Sequence, residues 1–414
     1  MSLFAFFAFL WRQGAHDLYV SLLGSLGIFT GWSGYQPFTD LHNPLQWLTC
    51  NRMGFDVFNK NPCSTTMNYS PIWLLLPPIS TSPEIVNTIG ILLGLLFLLT
   101  VFVFCRPKTL FDSMVYVLAI CSPDTIVSIE RCNIDIVLFT LVGFGGFSLI
   151  RKFKCGSISY SLIYLSALLK FYPLIALGTA IFSKPRVFLL VLMSASISTL
   201  LFLLLYHHFL ALVLSNLPYS NPLLDIFSGK NIFSILKINF DRMFPQDTAI
   251  ISLFINFFYI LFVFLCATLS VSYANHLNSL DSHESQMSQN LFLFLASGFI
   301  FIGVFFSGQN APYRAVWLIM LLPFLSELRI PRQKSEIGRL SVGLTLIIIG
   351  VMWVQCIRHI IALWTHDWLV ADIFVVVLRE GLWWTLAFGV ATIIYMYSRS
   401  APTLIWLKQM IKQQ

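Results

Sequence analysis

Apolar runs of about 16 to 26 residues recur along the whole chain, rich in Phe and Leu rather than alternating with polar positions. A helix needs about 20 mostly apolar residues to cross the hydrocarbon core of a bilayer. Inside lipid only a helix or a closed barrel satisfies every backbone hydrogen bond, and barrel strands read as short alternating segments. The pattern therefore predicts an all-α polytopic integral membrane protein, a single transmembrane domain over residues 1–414. Spans are expected at 18–34, 84–105, 109–122, 134–150, 187–213, 250–272 and 291–307, then as a return ending near Arg329, and at 340–365 and 371–397. Ser2–Trp11 reads as an interfacial lead-in without the basic start and small-residue site of a cleavable signal.

Polar segments separate these runs. Residues 35–83 form a long outer loop with an amphipathic stretch at Leu45–Leu48, and residues 214–249 form a second. Basic clusters at 151–154 and 184–186 belong on the same side, although one apolar run lies between them. Lys170-Phe171-Tyr172-Pro173 resolves this parity by breaking the run into two short helices, because Pro173 lacks a backbone donor and biases Tyr172 away from helix. Counting that run twice gives about twelve crossings with both termini inside.

Composition agrees with this class: 57% of the 414 residues are hydrophobic, 10% are charged, and mean hydropathy is +0.80. The net charge of +7 might direct attention to nucleic acid, but its distribution does not. Fifteen of the 25 Lys and Arg residues fall in segments placed inside, among them Arg106/Lys108, Arg151/Lys152/Lys154, Lys184/Arg186 and Arg399/Lys408/Lys412. That asymmetry is the positive-inside signature of topology. Of the eight cysteines, Cys50 and Cys63 share the long outer loop and could form a disulfide.

Ionisable groups at membrane depth are functional candidates by default, and here they gather on the outer side. Asp40 stands at the mouth of the first span as a candidate general base. Glu130, Arg131, Asn133 and Asp135 lie at the junction of two spans. Arg131 has the fork that matches phosphate oxygens, and Lys170 is a second candidate for them. Gln309, Asn310, Tyr313 and Arg314 form a polar turn of the same sidedness, suited to sugar hydroxyls or phosphate. Deeper, Arg358 and Arg379-Glu380 read as structural ion pairs, and His207-His208 is too weak a signal to assign a metal. No D-x-D, H-E-x-x-H, P-loop or G-x-S-x-G element occurs, which sets aside metal-pyrophosphate nucleotide-sugar enzymes, ATPases and serine hydrolases. Cations for a leaving phosphate beside a base for an incoming hydroxyl form the equipment of a lipid-phosphate-sugar transferase.

Several ordered motifs carry a resemblance: Asp40, Asn61-Pro62-Cys63, Met67-Asn68-Tyr69-Ser70-Pro71, Glu130-Arg131-Cys132-Asn133-Ile134-Asp135, Lys170-Phe171-Tyr172-Pro173 and Gln309-Asn310-Ala311-Pro312-Tyr313-Arg314. Over roughly residues 30–330 the chain resembles the bacterial polyprenyl-phosphate-mannose-dependent glycosyltransferases of family 87 in the GT-C superfamily. It departs at Cys132, where a glycine is expected, and at Ser70, where proline is commoner. The resemblance implies a GT-C bundle of about twelve helices including short and broken ones, in a bacterial inner membrane with its site facing the periplasm. It implies inverting transfer of a sugar, mannose or another hexose or pentose, from a polyprenyl-phosphate donor to a glycan or glycolipid acceptor. Asp40 would be the base; Arg131, Lys170 and Arg314 would hold the donor phosphate. Asn68, Tyr69, Glu130, Asn133, Asp135, Tyr172, Gln309, Asn310 and Tyr313 would meet substrate, with no metal or cofactor. The alternative class is a transporter or flippase of a lipid-linked solute, which should show charged sites open to both sides.

Overall fold

The structure is a computed structural model that describes residues 10, 13–26, 28, 37–59, 61–63, 65–150, 157–216, 227–280, 287–308, 312–330 and 335–412. Among the described residues it is helical throughout, without a β-strand. In chain order the helices are α1 (His16–Ser25), α2 (Thr39–Arg52), α3 (Pro83–Phe104), α4 (Leu110–Ile120), α5 (Pro123–Glu130), α6 (Asp135–Ile150), α7 (Ser157–Leu169), α8 (Pro185–Ser215) and α9 (Asn231–Met243). They continue as α10 (Thr248–Leu280), α11 (Gln289–Ser307), α12 (Leu322–Arg329), α13 (Glu336–Met352), α14 (Val354–Thr365), α15 (Trp368–Ser398) and α16 (Pro402–Lys412). Three 3-10 stretches interrupt them, Pro71–Leu75, Tyr172–Phe182 and Pro312–Leu321.

Local chemistry sets many of these starts. Pro83, Pro123 and Pro185 stand in the first turns of α3, α5 and α8, where a missing N–H leaves no bond unmade. Ser122, Ser288 and Ser335 accept from backbone amides of α5, α11 and α13 at 3.3, 3.1 and 3.2 Å. Thr109 and Asp112 cap α4 reciprocally. Asp112 also accepts from Arg329 at 2.6 Å, tying the start of α4 to the end of α12.

Among the described residues, five helices (α3, α8, α10, α11 and α15) are long and apolar enough to cross a membrane, and two bent pairs, α4 with α5 (48°) and α13 with α14 (58°), raise this to seven. The expectation of about twelve crossings therefore exceeds what the described helices supply by length alone. The difference lies in breaks. The expected span 109–122 is the eleven-residue α4 followed by a bend, after which α5 leads to the polar junction at Arg131–Asp135. The expected return to Arg329 is a 3-10 stretch followed by the eight-residue α12. The expected span 340–365 breaks at Trp353, between α13 and α14. The expected first span is helical only to Ser25 within the described residues. The run broken at Lys170–Pro173 does form two short elements, α7 and the Tyr172–Phe182 stretch.

α11 is the centre of the bundle. Phe292, Phe294, Phe305 and the facing Trp317 are fully buried, and both long 3-10 stretches pack against it. α8 and α10 instead bury few of their side chains. Lipid tails are as apolar as Leu, so helix association in a bilayer rests on close packing. At Gly389 in α15 an added Cβ would run into Leu344 of α13.

Candidate functional site

Two residues with positive φ begin the site. Phe38 (φ 60°) and Cys132 (φ 49°) both occupy the left-handed region, which is uncommon for residues with a Cβ and clusters at functional sites. Glycine reaches that region freely, so the glycine expected at Cys132 has a backbone explanation. Two backbone bonds stitch the turns together, Phe38 N to Glu130 O (2.8 Å) and Asp40 N to Arg131 O (3.0 Å). Asp40 is thereby presented, in the first turn of α2, to the junction of α5 and α6. Arg131 Nη2 donates to its Oδ1 at 2.5 Å and Asn133 Nδ2 to its Oδ2 at 2.6 Å.

Asn133 links this pair to a second one. Its Oδ1 accepts from the amide of Asp135 at 3.1 Å, where Asp135 opens α6 and its charge meets the positive end of the helix. Asp135 is completely buried and accepts from Lys170 Nζ at 2.6 Å, with Arg314 Nε 3.7 Å from its other oxygen. The Lys170 ammonium lies 5.4, 5.6 and 6.0 Å from the ring centres of Tyr69, Tyr172 and Tyr313. Arg314 stacks over Tyr172 at 4.7 Å, within the range of attraction between a cation and a ring face. Trp317 Nε1 donates to the Tyr172 hydroxyl (3.1 Å), Trp73 Nε1 to the Leu169 carbonyl (3.1 Å), and Ser128 Oγ to the Tyr313 carbonyl (2.9 Å).

These pairs share one electrostatic field. Asp40, Asp135, Arg314 and Arg131 all act on Tyr313, and Asp40 acts on Lys170. Burial first, and then the negative charges led by Asp40, push the Tyr69 hydroxyl well above its ordinary range, so it remains a proton donor. Exposure sorts the charged groups: the Arg131 side chain retains 24% of its surface, Arg314 17%, Lys170 13%, Asp40 12% and Asp135 none. The two arginines are thus the more exposed of the three cations. Lys170 is already occupied by Asp135 and three rings.

The structure brings together Asp40, Arg131, Asn133, Asp135, Lys170, Arg314, Tyr69, Tyr172 and Tyr313. Asn68 is half-buried beside Tyr69. Glu130 is not among them: it is buried, and its carboxylate accepts from Tyr19 of α1 in a small separate core with Leu23 and Ile126. Its role is to tie α1 to α5. Gln309 and Asn310 lie outside the described residues. Arg358 pairs with Asp372 at 2.6 Å, and Glu380 accepts from Asn231 (2.8 Å) and Arg379 (3.5 Å). Cys50 and Cys63 are disulfide-bonded, with Cα atoms 6.1 Å apart, under the Trp47, Tyr69 and Trp73 rings. Sequence reasoning missed Tyr19, Trp317 and Trp73, because a single aromatic in an apolar run carries no local mark of a polar partner. No family model, no curated protein and no solved structure matches the chain.

Proposed function

We propose that the chain is a membrane glycosyltransferase that moves a sugar from a polyprenyl-phosphate donor to a lipid-linked or polymeric glycan acceptor on the extracytoplasmic side of a bacterial inner membrane. The observation that carries this reading is the charge of the cluster. Three cations (Arg131, Lys170 and Arg314) face two carboxylates (Asp40 and Asp135), leaving one net positive charge. Surrounded by protein, that charge complements a monoanion, and a sugar phosphodiester is one.

The balance also holds through the reaction. The acceptor oxygen bonds to the anomeric carbon, the bond from that carbon to the phosphate oxygen breaks, and the hydroxyl proton passes to Asp40. Protonated Asp40 leaves the cluster with a further positive charge just as the departing phosphate gains a negative one. Positioned charges of this kind stabilise a transition state because they need no reorganisation. A sugar diphosphate would bring one charge too many at both stages. Arg131 and Arg314 hold the phosphate, Lys170 holds Asp135, and the Tyr69 and Tyr313 hydroxyls are available to the sugar.

The test is Asp40→Asn, assayed with radiolabelled polyprenyl-phosphate sugars in proteoliposomes. A general base supplies about 10²- to 10⁴-fold in rate. Turnover should fall by that amount while membrane insertion and donor binding persist. Near-normal transfer by this variant would remove Asp40 from the base role, and efficient use of a polyprenyl-diphosphate sugar would defeat the charge argument.

A further inference from the structure

The last helix, α16, is separated from α15 by only three residues, Arg399 to Ala401. Its eleven residues extend about 16 Å, too short for a hydrocarbon core of about 30 Å, so it does not span. At 100° per residue, Leu404, Trp406, Leu407, Met410 and Ile411 share one arc, and Lys408, Gln409 and Lys412 share the opposite one, with Ile405 among them. The helix contains no acidic residue.

Its first half docks on the protein, with Leu404 packed against the core and Trp406 half-buried. Ala401 and Thr403 are buried, and Thr403 Oγ1 donates to the Ser183 carbonyl at 2.8 Å. Beyond that half the apolar arc emerges, with Met410 46% and Ile411 71% exposed. The bond to Ser183 sets α16 beside exposed Lys184 and Arg186, and Arg399, Lys408 and Lys412 are exposed as well. Five cations therefore surround a short amphipathic helix at the mouth of a membrane span.

We infer that α16 lies in the headgroup boundary of an anionic leaflet, its apolar arc among acyl chains and its lysines on lipid phosphates. An amphipathic helix with a basic polar face seats itself in this way, and clustered Lys and Arg next to a span select anionic lipid. Lysine stems reach upward past the apolar arc to do so. A second copy of the chain would cover the apolar arc but leave five like charges facing their equivalents.

The experiment uses the full chain with Cys121→Ser, Cys155→Ser, Cys266→Ser and Cys356→Ser, carrying a spin label at Met410→Cys or at Gln409→Cys. The bilayers are phosphatidylcholine alone, or phosphatidylcholine with about 30 mol% phosphatidylglycerol. With the anionic lipid, the label at 410 should be open to oxygen and closed to an aqueous nickel complex, and the label at 409 the reverse. Lys408→Gln with Lys412→Gln should lower the immersed-to-aqueous ratio at 410 about 30-fold in anionic bilayers, from roughly one kcal/mol per lysine, and leave it unchanged in phosphatidylcholine. High salt should mimic the double variant. An aqueous label at 410 in both bilayers overturns the proposal. So does immersion indifferent to anionic lipid and lysines, or spin–spin coupling between labels on two copies.

Discussion

Lys170 separates a structural reading of the charged cluster from a ligand-binding one. Lys170→Met leaves Asp135, with no exposed surface, paired to one cation, Arg314 at 3.7 Å, in place of an ammonium at 2.6 Å. Removing one partner of a buried pair costs about 3–5 kcal/mol, a large share of a typical stability of about 5–15 kcal/mol. It also makes the cluster formally neutral. Asp135→Asn alone should destabilise by a similar amount and leave two net positive charges. Lys170→Met with Asp135→Asn restores the single positive charge and leaves no carboxylate buried without its lysine. Thermal unfolding of the purified protein in detergent should show the double variant recovering at least half of the summed losses, a coupling of about 3 kcal/mol or more. The double variant should regain transfer activity over either single one, because Arg131 and Arg314 remain for the donor phosphate. Strictly additive losses would refute the pairing argument. A stable double variant with no donor binding would make Lys170 a phosphate ligand.

Three further outcomes are expected. Gly90→Ala would set a Cβ 2.5 Å from the Phe38 ring; overpacking costs about 1–3 kcal/mol, and the displaced turn carries Asp40, so transfer should fall by more than the loss of Tm implies. Gly343→Ala, with nothing within 4 Å, is the neutral control. Cys50→Ser with Cys63→Ser opens a loop of sequence separation 13, and the Tm should drop by the equivalent of about 3 kcal/mol, as it should for the native chain under reductant. Burial lowers the His42 side chain below its ordinary 6.5. The folded state then binds this proton less readily than the unfolded one, so the stabilisation is complete above pH 6.5 and fades as pH falls through the lower folded value. His42→Gln should flatten the Tm profile over that window, and an unchanged profile would show that His42 is not its source.

Much of this arrangement was legible because it is local. The span expected at 84–105 is α3 at Pro83–Phe104, where apolar length and proline at the start agree. The break at Lys170–Pro173 was visible because proline cannot donate. The bend at Trp353 was not, since nothing in an unbroken apolar run marks it. Amphipathic α9 and α16 sit in segments read as loop or tail, where a search tuned to long apolar runs does not look. Glu130 is a site candidate from its neighbours in sequence, and its carboxylate accepts from Tyr19, 111 positions away. Pairings at that distance depend on tertiary packing, which is also why Lys170 proved to be held by three tyrosines from three different segments.

The two carboxylates receive different roles from burial alone. Asp135 has no exposed surface and is held by Lys170, so it cannot take a proton from an acceptor without first giving up that partner. Asp40 is partly exposed, and its two oxygens accept from Arg131 and Asn133. In the proposed transferase a carboxylate so paired stays engaged until its donor arrives. On the proposed reading the donor phosphate competes with Asp40 for Arg131, the most exposed cation of the cluster, and its arrival withdraws the strongest of the two bonds. Asn133 stays, bonded on its other side to the start of α6, and keeps the carboxylate aimed. The left-handed turns at Phe38 and Cys132 then have a use: they fix Asp40 through the backbone, so its position survives the departure of Arg131.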